Sequence, residues 1–179
     1  MKGWLGLAAA IDRVSQVFGW IAAWLVLLSA LISAGNAASR YLFSLSSNAW
    51  LEIQWQMFAG IFLLGAPWVL KTNEHVRVDL LYGSASHRRK LWTDVFGIIV
   101  FLFPTTLVVG WFAWPFFLAS FRSGEMSSNA GGLPVWQVKF LLPSGLALLF
   151  LQGVAELGKR IAGLMGIGDG AAGYERPLQ

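Results

Sequence analysis

Glu52 and Gln56 stand four residues apart, so a helix would place both on one face. Arg40 precedes Glu52 across 11 residues; if the two end facing helices, carboxylate and guanidinium could pair. Two solvated charges with little coupling are the usual outcome for such a pair. Ser29, Ser33, Asn36 and Arg40 follow one another at spacings of four, three and four, again one helical face. Hydroxyl and amide groups on that face offer hydrogen bonding to another helix, and Ala30, Ala34 and Ala38 beside them allow close backbone approach. That contact could be made within this chain or with another protein. Glu74, His75, Arg77 and Asp79 alternate with Val76, Val78, Leu80 and Leu81, a mixture suited to a membrane surface and to a partner. Glu125 belongs to a small, polar, turn-rich stretch, and Trp136 follows it at the start of an apolar run.

Catalysis has little to work with. Cysteine is absent, which excludes thiolate metal sites, iron–sulfur clusters and cysteine nucleophiles. His75 and His87 are the only histidines, and both fall between apolar stretches, so a haem or di-metal site inside a helix bundle lacks its ligands. Neither a Gly-rich phosphate loop nor a nucleophile elbow occurs. The expectation is a protein with no catalytic residue, metal or cofactor of its own.

The elements that must position these residues are apolar. Charged residues make up 12% of the 179 and hydrophobic ones 56%, whereas a soluble domain carries about 25% charged residues. The balance excludes a disordered chain and argues against a soluble one. The net charge of +4 is too dilute for nucleic acid, which needs clustered Lys and Arg. Arg13 to Arg40, Glu52 to Lys71 and Asp94 to Arg122 enclose no charge, and Lys139 to Glu156 encloses a shorter gap. A membrane-spanning helix needs about 20 apolar residues. The expected fold is therefore an all-α integral membrane protein with helices over about 14–38, 50–70, 92–118 and 134–158. The first stretch has 26 uncharged residues, against about 7–15 for a signal-peptide core, so it reads as a retained helix. Residues 161–179 are Gly-rich and read as a flexible tail.

Lys and Arg set the expected orientation. The N-terminal segment, the 71–91 loop and the C-terminal segment carry ten of them, and the other side carries Arg40, Arg122 and Lys139. Ten against three places both termini and the 71–91 loop in the cytoplasm, and the 119–133 loop outside. Trp50, Trp55, Trp111, Trp114 and Trp136 then fall near the outer interface and Trp4, Trp68 and Trp92 near the inner one, an aromatic-belt pattern. Trp20 and Trp24 lie deeper and are expected to pack on a neighbouring helix. Arg88, Arg89 and Lys90 anchor the inner face and would attract anionic lipid headgroups. Pro67, Pro104, Pro115 and Pro143 are expected to kink the helices, and Pro134 to open the fourth.

Several pieces together resemble a known family. These are Asn36 with Arg40-Tyr41, Trp50-x-Glu52, the run Glu74 to Leu81, Gly124-Glu125-x-Ser127, Gly131-Gly132-Leu133-Pro134-x-Trp136, Leu142-Pro143 and Leu151-Gln152-Gly153. In this order they are similar to the small permease subunit, DctQ-like, of tripartite ATP-independent periplasmic (TRAP) transporters; Leu51 departs from the pattern. The resemblance covers about residues 14 to 158. It implies a bacterial inner-membrane complex in which a periplasmic binding protein captures an organic acid or related solute. A large permease subunit moves the solute with an ion gradient, usually sodium, and holds the ion and substrate sites. The small subunit braces it and could help receive the binding protein. Taking these motifs together with the helix faces described above, the candidates for partner contact are Ser29, Ser33, Asn36, Arg40, Glu52, Gln56, Glu74, His75, Arg77, Asp79, Glu125 and Trp136. The alternative, a self-sufficient small transporter or channel, would need a deep ionisable residue, and the apolar stretches hold none.

Overall fold

The computed structural model describes residues 2–45, 47–74 and 86–167. Four helical spans are long and apolar enough to cross a membrane. They comprise α1 (Lys2–Phe43), α2 (Asn48–Thr72), a third span built from α3 (His87–Gly97) and α4 (Phe103–Ser123), and α5 (Trp136–Leu164). Met126 and Pro134 form an isolated antiparallel bridge in the 124–135 connection. The chain is an all-helical, four-span membrane protein.

Each helix outruns the apolar stretch that announces it. Charge marks where a helix leaves hydrocarbon, whereas backbone geometry marks where it stops. Asn73 and Gly124 adopt φ of 60°, a left-handed conformation that ends α2 and α4. At 1.5 Å per residue the 42 residues of α1 run ~63 Å, about twice the hydrocarbon thickness. Asp12, Arg13 and Asp94 thereby lie inside helices. Trp136 rather than Pro134 opens α5.

The prolines are absorbed without breaking a span. Pro67, Pro115 and Pro143 lie inside α2, α4 and α5. Pro104 stands just after a π-helical turn, Ile98–Leu102, that joins α3 to α4. Proline offers no N–H and its ring crowds the carbonyl four residues back. The wider turn answers this: the Phe103 N–H donates to the Ile98 carbonyl, five residues away.

Helix α5 is the hub, packing against every other helix. α1 and α2 lie on each other and on α5, and the third span packs on α5 from another side. One face of the third span is buried through Leu91, Val95, Ile98, Thr106, Ala113, Phe117 and Ser120. Its opposite face exposes Phe101, Trp111 and Phe112, suited to hydrocarbon. Trp20 and Trp24 are 59% and 57% exposed, so neither packs on a neighbouring helix of this chain.

Candidate functional site

Two polar sites occupy opposite ends of the bundle. At one end Glu52, 2% exposed, projects from the first turns of α2 into the 124–135 connection. Its Oε1 accepts from Asn129 Nδ2 at 2.7 Å and from the Ser127 hydroxyl, and its Oε2 accepts from the Leu133 N–H at 2.6 Å. A carboxylate has only acceptors to offer, and this one is met by three neutral donors from one loop. The loop is folded to supply them. Ser127 N–H donates to the Leu133 carbonyl at 2.9 Å, and Gly132 N–H to that of Asn129 at 2.9 Å. Gly131 has φ of 69°, which a side chain would oppose. Gln56, one turn below Glu52, donates from Nε2 to the Pro134 carbonyl at 3.2 Å, and Asn48 to the Ala130 carbonyl at 3.2 Å. Glu125 accepts from Lys139 Nζ on α5, and the ammonium holds its carboxyl below the usual carboxylate range. Lys139 also lies 4.2 Å from the centroid of the Phe116 ring.

The other end is a clasp of ions. Gln152, fully buried in α5, accepts from Ser15 Oγ at 2.6 Å and donates from Nε2 to Asp12 at 2.9 Å and Glu156 at 3.1 Å. Lys159 donates to Asp12 at 2.8 Å and Glu156 at 2.7 Å. Arg160 lies 3.3 Å from Asp94 of α3 and 3.5 Å from Glu156. Lys71 at the end of α2 donates to the Asp12 carbonyl at 3.3 Å. α1 and the third span thus meet on α5, and α2 joins the clasp through α1. Gln152, Glu156 and Arg160 recur every fourth residue, so one face of α5 carries the acceptors and cations together.

The sequence-based candidates divide among several environments. Glu52 and Gln56 do share a face and a target, but the target is the loop. The Arg40–Glu52 pair is not formed: Arg40 is exposed, and neutral donors occupy the carboxylate. On α1, Ser29 is buried within the chain, Asn36 is half-buried, and Ser33 and Arg40 are exposed. Glu74 is exposed just past α2, its N–H on the Val69 carbonyl. His75, Arg77 and Asp79 lie outside the described residues. Trp136 and Phe121 meet in a T-shaped contact, with ring centroids 5.3 Å apart. Sequence reasoning overlooked Ser127, Asn129 and the ionic clasp. Ser127 and Gln152 stood in the very motifs quoted for the family resemblance.

Residues 29–163 match the family model described as tripartite ATP-independent periplasmic transporters, DctQ component. The chain belongs to that family. No curated protein and no solved structure matches it. This DctQ protein is the small membrane subunit of a TRAP transporter, and a transporter component rather than an enzyme. The matched region contains the whole Glu52 site and the α5 and α3 halves of the clasp. Asp12 and Ser15 precede it.

Proposed function

We propose that this subunit braces the large permease subunit of a TRAP importer in the bacterial inner membrane, with both termini cytoplasmic, and helps a periplasmic binding protein dock. The solute is an organic acid or related compound, and the coupling ion, sodium, binds in the large subunit. This chain needs no cofactor. The observation that carries the reading is how its polar groups are used. The ionisable side chains of α1, α3 and α5 at the clasp are engaged with one another, which suits holding helices together rather than moving a solute. The exposed Ser33 and Arg40 of α1, with half-buried Asn36, offer polar groups in a membrane span that this chain leaves open. A helix of the large subunit would cover them. The Glu52-organised loop, on the side assigned as periplasmic by the Lys and Arg count, offers the binding protein a preformed surface.

Purification of a tagged copy in mild detergent tests this. Co-recovery of the large subunit, reduced by the double substitution Ser33→Leu and Asn36→Leu, is the expected result. Recovery of this chain alone, with solute uptake by it in liposomes, would overturn the proposal in favour of a self-sufficient transporter.

A further inference from the structure

An apolar groove of about 350 Å³ runs along α5 near the clasp. Val154, Ile161, Ala162 and Met165 form its floor, and Trp4 of α1 and Phe103 of α4 flank it. Trp4 can approach only because residue 158 is glycine: a Cβ there would fall 1.8 Å from the indole nitrogen.

Depth and register say what such a groove meets. The 29 residues of α5 extend ~43 Å, close to the 40–45 Å of a bilayer with its headgroups. With Trp136 at one interface, Met165 reaches the opposite headgroup layer. The third span runs antiparallel to α5. Phe103 and Leu102 lie against Gly153, and Asp94 lies against Arg160. Arg88 and Arg89 are about 9 and 7.5 Å further along α3 from Asp94, which brings them level with the Met165 end of the groove. Both are exposed.

We propose that this groove is a binding site for one anionic glycerophospholipid. The phosphate lies at Arg88 and Arg89, and an acyl chain runs down the groove past Ile161 and Val154 toward Phe103. Apolar lining fits the chain, and two exposed guanidinium groups at headgroup depth select the charge. The site is independent of which solute the transporter carries, and it rests on the membrane setting rather than on the large subunit.

The test uses the full chain co-purified with its large subunit and placed in nanodiscs of equimolar phosphatidylglycerol and phosphatidylcholine. Lipid retained after transfer to detergent is counted by native mass spectrometry, and an acyl-diazirine phosphatidylglycerol maps where the chain lies. The expected result is retained phosphatidylglycerol, with labelling at Trp4, Ile161 and Met165. R88Q/R89Q, which alters only exposed side chains, should cut the preference over phosphatidylcholine by about fivefold for each charge removed. A Trp4→Ala variant should keep the charge preference but lose labelling at position 161. Equal retention of the two lipids, labelling no denser in the groove than at Trp111 and Phe112, or crosslinks showing a helix of the large subunit in the groove would each overturn the proposal. The last of these would leave the bracing role intact, and failure to recover the large subunit would count against that role alone.

Discussion

Glu52 and Glu156 are both buried carboxylates near membrane boundaries, yet they are stabilised in opposite ways. Among the described residues, Glu52 has neutral donors only: a hydroxyl, an amide and a backbone N–H, all from one loop. Glu156 has an amide and two cations, Lys159 and Arg160, from its own helix, and through them reaches α1 and α3. The first arrangement shapes a loop around a charge. The second fastens helices. A chain with few charges has placed them where they order backbone at one end and fix helix positions at the other.

The sharpest way to break the clasp is Arg160→Ala. It removes the guanidinium from buried Asp94 and leaves Glu156 with Lys159 as its cation, and should cost about 3 kcal/mol in detergent unfolding. The double change Asp94→Leu with Arg160→Met removes both charges and should recover most of that loss, because apolar replacement of a buried pair is often neutral. Next comes Glu52→Gln. The Leu133 amide should then lose protection in hydrogen exchange and the 124–135 loop become protease-sensitive, while the amides around Glu156 keep their protection. Loss of protection at both ends together would show that the two sites are one cooperative unit. Lys159→Met is expected to be milder, about 1 kcal/mol, since the Lys159–Asp12 pair is partly exposed.

The smallest effect concerns pH. The Lys139 ammonium lowers the Glu125 carboxyl below its ordinary value of about 4.5. A depressed carboxylate adds stability that is fully present above that value and is lost as pH falls through the lower folded value. Acidification below about pH 4.5 should therefore loosen the Glu125–Lys139 contact, followed through Trp136 fluorescence. Lys139→Gln should shrink that pH dependence and leave the clasp unchanged.

Four spans were legible because uncharged runs of that length have few other uses. Helix ends were not, because Asp12 and Asp94 look like boundaries in a one-dimensional charge map and become interior once α1 and α3 continue past them. The Glu52–Gln56 face was legible from spacing. Its target was not, because Ser127, Asn129 and Leu133 carry no signal that their donors converge 75 to 81 residues away. The clasp had a readable trace in Gln152, Glu156 and Arg160 at four-residue intervals. Identifying Asp12, Ser15 and Asp94 as partners required knowing that α5 meets both flanking helices.

The π-helical turn decides what the two halves of the third span can touch at once. Ile98 and Thr106 both face α5 although they are eight residues apart, and on an ideal α-helix positions eight apart diverge by about 80°. Straightened to an ordinary helix, the span could seat Phe117 against Phe140 or bring Asp94 to Arg160, but not both. One widened turn therefore sets the angular phase between the aromatic contacts at one end of the molecule and the ion pairs at the other. Deleting a single residue between Ile98 and Thr106 would leave the two positions seven apart, about 20° from alignment, so an ordinary helix could then keep both contacts.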